Sequence, residues 1–518
     1  MSSVSASRRT VDRRRLRIAI IGSGFGGIGM ALQLQEAGFT NFVIFEKAGE
    51  VGGVWRDNTY PGAACDVPSQ LYSFSFWPNP NWTRSYSPQD EILEYLKMCA
   101  RQGGLLERIR FHAEVVSLEY SEQRLDWTLT LASGERETFD VVIPALGQLH
   151  HPSVPELPGQ ESFAGQAFHS ARWDHSIDWT TKRVGVLGTG ASAIQFVPWL
   201  ARHAGEVTVF QRSAPWVIRK IDREIGPRER RLYDRFPVLQ RAQRNLTFWV
   251  LDNVMFAHGG SPLRERMIKR MALRNLEKDV PDPVLRGALT PTDTLGCKRI
   301  LFSSEWYPSL MQPNVHLVAA GVDRLDATGV WSCGTHYEVD VVVYGTGFVT
   351  TKFMMPMTVI GAHGVDLQEQ WEQGPEAFLG ITIPNMPNLF LLYGPNTNLG
   401  HNSIIAMLEA QFGYVLEALE TLARIGHGAI SVRPEASRAY NEQLQGELAG
   451  TVWAAGCDSW YTNDAGRIVN NWSDRVKRYQ RLVAHWDIAD YDLFGLRSEA
   501  SVGASVPGTA HVRNQAEA

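Results

Sequence analysis

RIAIIGSGFGGIGMALQLQEAGFTNFVIFEK, residues 17–47, decides the fold. A short apolar run enters GSGFGG, a stretch of helical length follows, and a second apolar run, FVIF, ends in an acid. The order is strand, glycine turn, helix, strand. Gly22 permits the tight turn, Gly24 lets backbone N–H groups approach a pyrophosphate, and Gly27 lets helix and strand pack closely. The helix N-terminus adds partial positive charge for the phosphates. Glu46 closes the second strand, where a carboxylate can accept hydrogen bonds from ribose hydroxyls.

RVGVLGTGASAIQFVPWLARHAGEVTVFQRS, residues 183–213, repeats this grammar with Gly188, Gly190 and Ala193 at the three loop positions. Arg212 lies as far behind Gly188 as Glu46 lies behind Gly22. A carboxylate there suits a free 2′-hydroxyl, and a guanidinium suits a 2′-phosphate. The first loop is therefore expected to hold FAD and the second NADPH. Ser192 and Gln195, where the second helix begins, are assigned to the NADP side.

The expected fold class is α/β, with two Rossmann-like dinucleotide-binding domains and a helical insertion in the NADP domain. FDVVIPALGQ (139–148) and VDVVVYGTGF (339–348) each run from an aspartate through a buried strand to a small-residue turn, as where a chain crosses between such domains. The expected layout is a flexible tail at 1–16, FAD-domain segments at 17–150 and 341–495, the NADP domain at 151–340, and a disordered tail at 496–518. Residues 222–288, rich in Arg, Glu and apolar residues at helical spacing, read as the insertion. GPNTNLGHNS (394–403) opens a helix and is placed to aim backbone N–H groups at the flavin's pyrimidine edge.

Whole-chain properties narrow the function. With 518 residues and 44% hydrophobic content, the chain can bury more than one core. A net charge of −5 offers no overall surplus for nucleic acid or an anionic membrane, so a small-molecule substrate is expected. Five scattered cysteines without a CxxC pair suggest neither a disulfide framework nor a metal site, and a cytoplasmic location is expected. No apolar run reaches membrane-span length. LTFWVLDNVMFA (246–257) contains Asp252 and reads as part of a cap. The arginine-rich leader before Ile18 reads as a solvated tail and not an export signal.

Two nucleotides imply hydride transfer to flavin but leave the flavin's own partner open. A disulfide reductase needs a cysteine pair near the flavin, and a non-catalytic module has little use for a second complete loop. FAGQAFHSARWD (163–174) is decisive here: Phe163-x-Gly165-xxx-His169-xxx-Trp173-Asp174 resembles the FxGxxxHxxxW(P/D) fingerprint of type I Baeyer–Villiger monooxygenases. Its spacings fit neither a clean helical face nor strand alternation. The resemblance spans about residues 17–475 and includes GGVWRDNTYPGAACDVPS (52–69), ALGQLHHPSVPELPG (145–159) and GCKR (296–299). The alternative is an N- or S-oxygenating flavin monooxygenase, which shares only the first part of the fingerprint.

The resemblance implies FAD and NADPH as cofactors, a ketone and O2 as substrates, and an ester or lactone as product. It implies a flavin C4a-peroxide that attacks the carbonyl to give an anionic Criegee adduct. Arg299 is then the cation over the flavin, Asp66 its carboxylate partner, and Lys298 a neighbour of Arg212 at the 2′-phosphate. A guanidinium stabilises anions without becoming an acid that quenches them. Trp55, Tyr72 and Gln148 fall beside the isoalloxazine. Phe163, Gly165, His169, Trp173 and Asp174 form a hinge that links cofactor position to domain rotation. From the residues alone, Asp66 reads equally as a turn or N-cap residue, and Trp55 and Tyr72 as core aromatics.

Overall fold

The computed structural model describes residues 12–253, 262–454, 461–463 and 465–495. The tails 1–11 and 496–518, the end of 246–257, and all of GCDSWY (456–461) except Tyr461 lie outside the described residues.

Two parallel sheets organise the chain. The first has the order Ile109–Arg110, Phe42–Phe45, Ile18–Ile21, Val141–Pro144. The second runs Val315–Val318, Glu206–Phe210, Arg183–Leu187, Val341–Tyr344, Gln166–His169. Because strand residues alternate between faces, Ile18, Ile20, Val141 and Ile143 enter one core while Ala19, Ile21 and Val142 enter another. The first core is closed by the helices Phe25–Glu36, Gln89–Gln102 and Ile404–Ile425. The second is closed by the antiparallel strands Val115–Ser121, Asp126–Leu131 and Arg136–Phe139.

The second sheet repeats this plan. Val184, Val186, Val341 and Val343 pack with the helix Ala193–His203. Leu187, Val342 and Tyr344 face the meander Arg324–Leu325, Gly329–Ser332, Thr335–Glu338. An aspartate clamps each central pair of strands: Asp140 accepts from the Arg17 N–H at 2.7 Å, and Asp340 from the Arg183 N–H at 2.9 Å.

Four helices, Pro227–Arg235, Pro237–Asn253, Pro262–Asp279 and Pro283–Ala288, occupy the stretch read as an insertion. The chain then returns to the first sheet: Thr358–Ile360 pairs with Val115–Ser121, and the N–H of Phe390 donates to the Val142 carbonyl at 3.0 Å.

Four local expectations are corrected. Val341–Tyr344 is a strand of the second sheet, so the crossing lies beyond Tyr344 and not at residue 341. Gln166–His169, read as irregular, is a parallel edge strand beside it; an edge strand buried on only part of one face need not alternate cleanly. The leader is not wholly a solvated tail, since Leu16 is buried and Arg13 pairs with Glu420. Cys65, Cys99 and Cys333 are free, whereas Cys297 is disulfide-bonded, a pairing that the scattered spacing did not suggest.

Candidate functional site

The site forms where the two units face each other. In the first loop Gly22 has φ +105°, and a Cβ there would lie 2.7 Å from the Ala145 carbonyl oxygen. In the second, Gly188 has φ +100° and the same 2.7 Å distance to the Gly345 carbonyl oxygen. Each first glycine thus lets the turn press against the small-residue turn that follows the central return strand. Gly24 and Gly190 are uncrowded: a Cβ on either would make only ordinary contacts, none nearer than 3.8 and 3.7 Å respectively. Both lie at the helix starts, where the N–H of Ile28 donates to the Gly24 carbonyl and that of Ile194 to the Gly190 carbonyl.

Glu46 is buried and densely bonded. Its Oε2 accepts from the Ser23 N–H at 3.0 Å and the Ser23 hydroxyl at 2.7 Å, and its Oε1 from the Ala48 N–H and Arg56 Nη1, both at 2.9 Å. These four donors fill the lone-pair positions of the carboxylate, so a ribose hydroxyl has to replace one of them. The Ser23 hydroxyl, free to rotate, is the one that can yield. Arg56 was not singled out from the sequence, although it stands in the GGVWRDN motif; the βαβ pattern marks the acid but not the cation that orients it.

Next to this loop, Trp55 and Tyr72 meet edge to face at 5.5 Å, with the indole N–H donating to the phenol oxygen at 3.2 Å. Burial holds the Tyr72 hydroxyl well above the ordinary phenol range, so it stays protonated. Gln148 donates through Nε2 to the Tyr393 carbonyl at 3.1 Å. Its buried Oε1 has no hydrogen-bond partner among the described residues. A buried orphan acceptor facing a polar cleft is a group that a bound molecule can satisfy.

Arg299 and Asp66 are brought together from opposite units. Nε and Nη2 donate to the same Asp66 oxygen, Oδ2, at 2.9 and 2.7 Å, and Nη1 reaches the Leu399 carbonyl at 3.3 Å. One N–H on each terminal nitrogen is left uncommitted among the described residues. The Asp66 charge raises the Arg299 pKa above its already high ordinary value, outweighing the opposing effect of burial. The guanidinium therefore keeps its charge at any working pH. Asp66 lies in a bend and pairs with Arg299, so the turn reading and the ion-pair reading both hold. Tyr393, just before GPNTN, donates to Asn398 Oδ1 at 2.6 Å, and Asn398 Nδ2 donates to Asn471 Oδ1 at 2.8 Å. The quoted motif began one residue too late to include it.

On the second side, Lys298 Nζ donates to Ser213 Oγ at 2.8 Å and to Asp293 Oδ2 at 2.7 Å, which holds it beside the exposed Arg212. Ser192 stands at the helix N-cap position. Gln195 does something the loop pattern does not suggest: its Oε1 accepts from the Tyr60 hydroxyl at 2.9 Å, and its Nε2 donates to the Ala64 carbonyl at 2.9 Å. Its side chain ties the second unit to the first. A side chain at Gly62 would lie 2.6 Å from the Gln195 carbonyl oxygen, which shows how closely the two backbones approach.

The fingerprint residues sit on the second unit. Trp173 is buried, stacked on Trp179 at 5.3 Å and tilted against Phe196 at 5.3 Å. Phe163 packs against the meander-side core, and a side chain at Gly165 would lie 2.4 Å from the Asp340 carbonyl oxygen. His169 Nδ1 accepts from the Ala171 N–H at 3.1 Å, while its ring meets Phe348 edge to face at 5.3 Å. Burial lowers the His169 pKa, leaving the imidazole neutral. Asp174 is half-buried and accepts from the Ser176 N–H and hydroxyl. The segments that cross between units are others, 148–153 and 345–349. They run together: Val349 N–H donates to His151 and Ser153 N–H to Gly347, both at 2.9 Å.

Comparison with known proteins follows this geometry closely. The FMO-like family model, flavin-binding monooxygenase-like, matches residues 15–357. A Baeyer-Villiger monooxygenase of Streptomyces coelicolor is 41% identical over 96% of this chain and 98% of its own length. A solved structure described as oxidized steroid monooxygenase bound to NADP superposes with a TM-score of 0.82 at 28% identity, covering 92% of this chain and 99% of that one. A structure of OTEMO in complex with FAD and NADP superposes with a TM-score of 0.81 at 25% identity over 92% of this chain and 99% of that one.

Proposed function

This chain belongs to the flavin-binding monooxygenase-like family, among its Baeyer–Villiger monooxygenases, and from that premise we propose how its own residues divide the work. It is an FAD- and NADPH-dependent monooxygenase; ketone, O2, NADPH and a proton give ester or lactone, NADP+ and water. When bound, the reduced flavin supplies the activated oxygen. Every other contribution comes from the chain.

One observation carries the assignment of roles: Arg299, from the second unit, reaches across to Asp66 of the first and keeps two N–H groups uncommitted. Negative charge that builds on oxygen as it adds to a carbonyl is stabilised by those donors in a site that excludes water. Asp66 holds the fork in direction. The uncrowded Gly24, the orphan Gln148 Oε1 and the Trp55–Tyr72 edge fit FAD, with Gly22 and Gly27 shaping the turn. Glu46 takes the ribose as the Ser23 hydroxyl rotates away.

Gly188, Gly190 and Ser192 present the second helix start to the NADP pyrophosphate, and Arg212 with Lys298 takes the 2′-phosphate. Gln195 acts as a tether and not as a direct NADP ligand, because both ends of its amide are engaged by the first unit. The paired crossings 148–153 and 345–349 are the hinge proper. Phe163, Gly165, His169, Trp173 and Asp174 shape the surface on which it bears, with His169 as the contact. The first unit comprises 17–150 and the segment after the second crossing; the second lies between.

Arg299→Ala tests the reading. The expected outcome is normal FAD content and normal flavin reduction by NADPH, with ester formation from a ketone panel reduced about 10²- to 10³-fold. Ester production at the unaltered rate refutes the role of Arg299.

A further inference from the structure

The helical insertion carries apolar residues on its outer side as well as its inner one, where Phe248 and Leu251 pack on the core. In the helix Pro237–Asn253 the side facing the protein carries Gln240, bonded to Gln70 and Asn79, and Arg244, bonded to the carbonyls of Gln70 and Ser73. Asp252 on the same helix accepts from the Val476 N–H at 2.8 Å. The opposite side carries Val238 at 71% exposure, Leu246 at 63% and Trp249 at 57%, spaced to fall on one helical stripe. Leu239 joins them, and Phe236 and Leu232 extend the ridge onto the neighbouring helix Pro227–Arg235. A surface helix that needs only water on its outer side carries polar residues there.

The charge around this ridge says what covers it. Arg228, Arg231, Arg235 and Arg241 are exposed and pair with no carboxylate among the described residues. Arg235 stands over the Phe236 ring at 5.9 Å. Residues 227–253 hold six basic against three acidic side chains, in a chain whose net charge is −5, so the surplus is local and the partner anionic. We propose that this ridge docks on the surface of an anionic phospholipid bilayer. Trp249, Leu246 and Val238 enter the boundary between headgroups and acyl chains, and the arginines meet lipid phosphates.

Other occupants fit less well. A second copy would set like-charged arginines face to face. An acidic protein matches the charge, but isolated apolar side chains protruding from a convex helix, with arginines between them, are the pattern of interfacial helices. No helix among the described residues is long and apolar enough to cross a membrane, so the contact lies along the surface.

Co-sedimentation of the full FAD-loaded chain with vesicles tests this. The chain is expected to pellet with phosphatidylglycerol-containing vesicles, to be released by salt, and to remain in the supernatant with pure phosphatidylcholine. Leu246→Ser with Trp249→Ser should weaken binding at least about tenfold while FAD absorbance, far-UV circular dichroism and turnover of a water-soluble ketone stay unchanged. Arg235→Gln with Arg241→Gln, which leaves the apolar ridge intact, should shift the salt needed for release downward. No binding to phosphatidylglycerol vesicles, or binding that the Ser variant retains, overturns the proposal. So does a dimer that the Ser variant dissolves, or binding to polyglutamate in place of vesicles.

Discussion

The two nucleotide halves are built alike and differ at the positions that choose a ligand. Each has a βαβ core, an aspartate clamp, a meander on the far side of the sheet, and a first glycine on which a Cβ would lie 2.7 Å from the carbonyl oxygen of a return turn. Even the departure from pattern is reciprocal. The first half has glycines at the helix start and Ala145 in the return turn. The second has Ala193 at the helix start and Gly345 in the return turn, where an added Cβ would lie 3.2 Å from that of Ala193. One methyl fits at this junction, and each half puts it on a different side. The difference that matters is electrostatic: a buried, fully bonded Glu46 in one half, an exposed Arg212 beside a fixed Lys298 in the other.

The most severe way to break the comparison is to spoil one loop at a time. Gly22→Ala forces a side chain into a positive-φ site against a carbonyl and should cost about 2 kcal/mol or more, with FAD lost, as read from flavin absorbance per protein. Gly188→Ala meets the same strain, yet should keep FAD and lose rapid reduction by NADPH in stopped flow. If both variants lose the same function, the assignment of one nucleotide to each loop fails.

The outgoing crossing supplies a pH test. Burial, reinforced by His151 and Lys47, pushes the His150 pKa down to about 4. The folded state therefore binds fewer protons than the unfolded chain, and the stabilising effect is present above the ordinary imidazole value and lost as pH falls from there toward 4. The loss by pH 4 should reach about 3 kcal/mol at most, and His150→Gln should flatten that part of a stability profile measured by chemical denaturation. An unchanged slope in the variant excludes His150 as its source.

Smaller effects sharpen the electrostatic difference. Arg212→Ala should reduce the preference for NADPH over NADH roughly ten- to a hundredfold, read as a ratio of kcat/KM, without changing FAD content. Unaltered discrimination would remove Arg212 from the 2′-phosphate site. Tyr60→Phe deletes one hydrogen bond of the Gln195 tether and should cost about 1 kcal/mol, seen as a modest fall in Tm. Any larger loss of NADPH binding would mean that Gln195 contacts the cofactor after all.

The fold was legible because period and punctuation were strong: a four-residue apolar run, a glycine turn and a helix leave few other architectures. Arg299 and Asp66 were singled out through their flanking motifs, and the fold pairs them. The strand within 163–174 was missed because no local pattern announces Gln166–His169. That strand exists only through its register with Val341–Tyr344, remote in the chain. The bonds of Gln195 to Tyr60 and Ala64 were not legible, since their approach is a fact of how the units meet.

What the sequence determined by itself was local: where strands and turns fall, and which side chains carry permanent charge. These depend on backbone sterics and side-chain chemistry that neighbours along the chain already set. What tertiary structure alone decided was pairing across distance. It directs three Arg299 donors to Asp66 and Leu399, and spends the Glu46 lone pairs on Ser23, Ala48 and Arg56. It also leaves Val238, Leu246 and Trp249 of the 237–253 helix on the outside while Phe248 and Leu251 pack inward. Hydrogen bonds and burial are satisfied by whichever groups the fold brings within reach, and reach is a property of three dimensions.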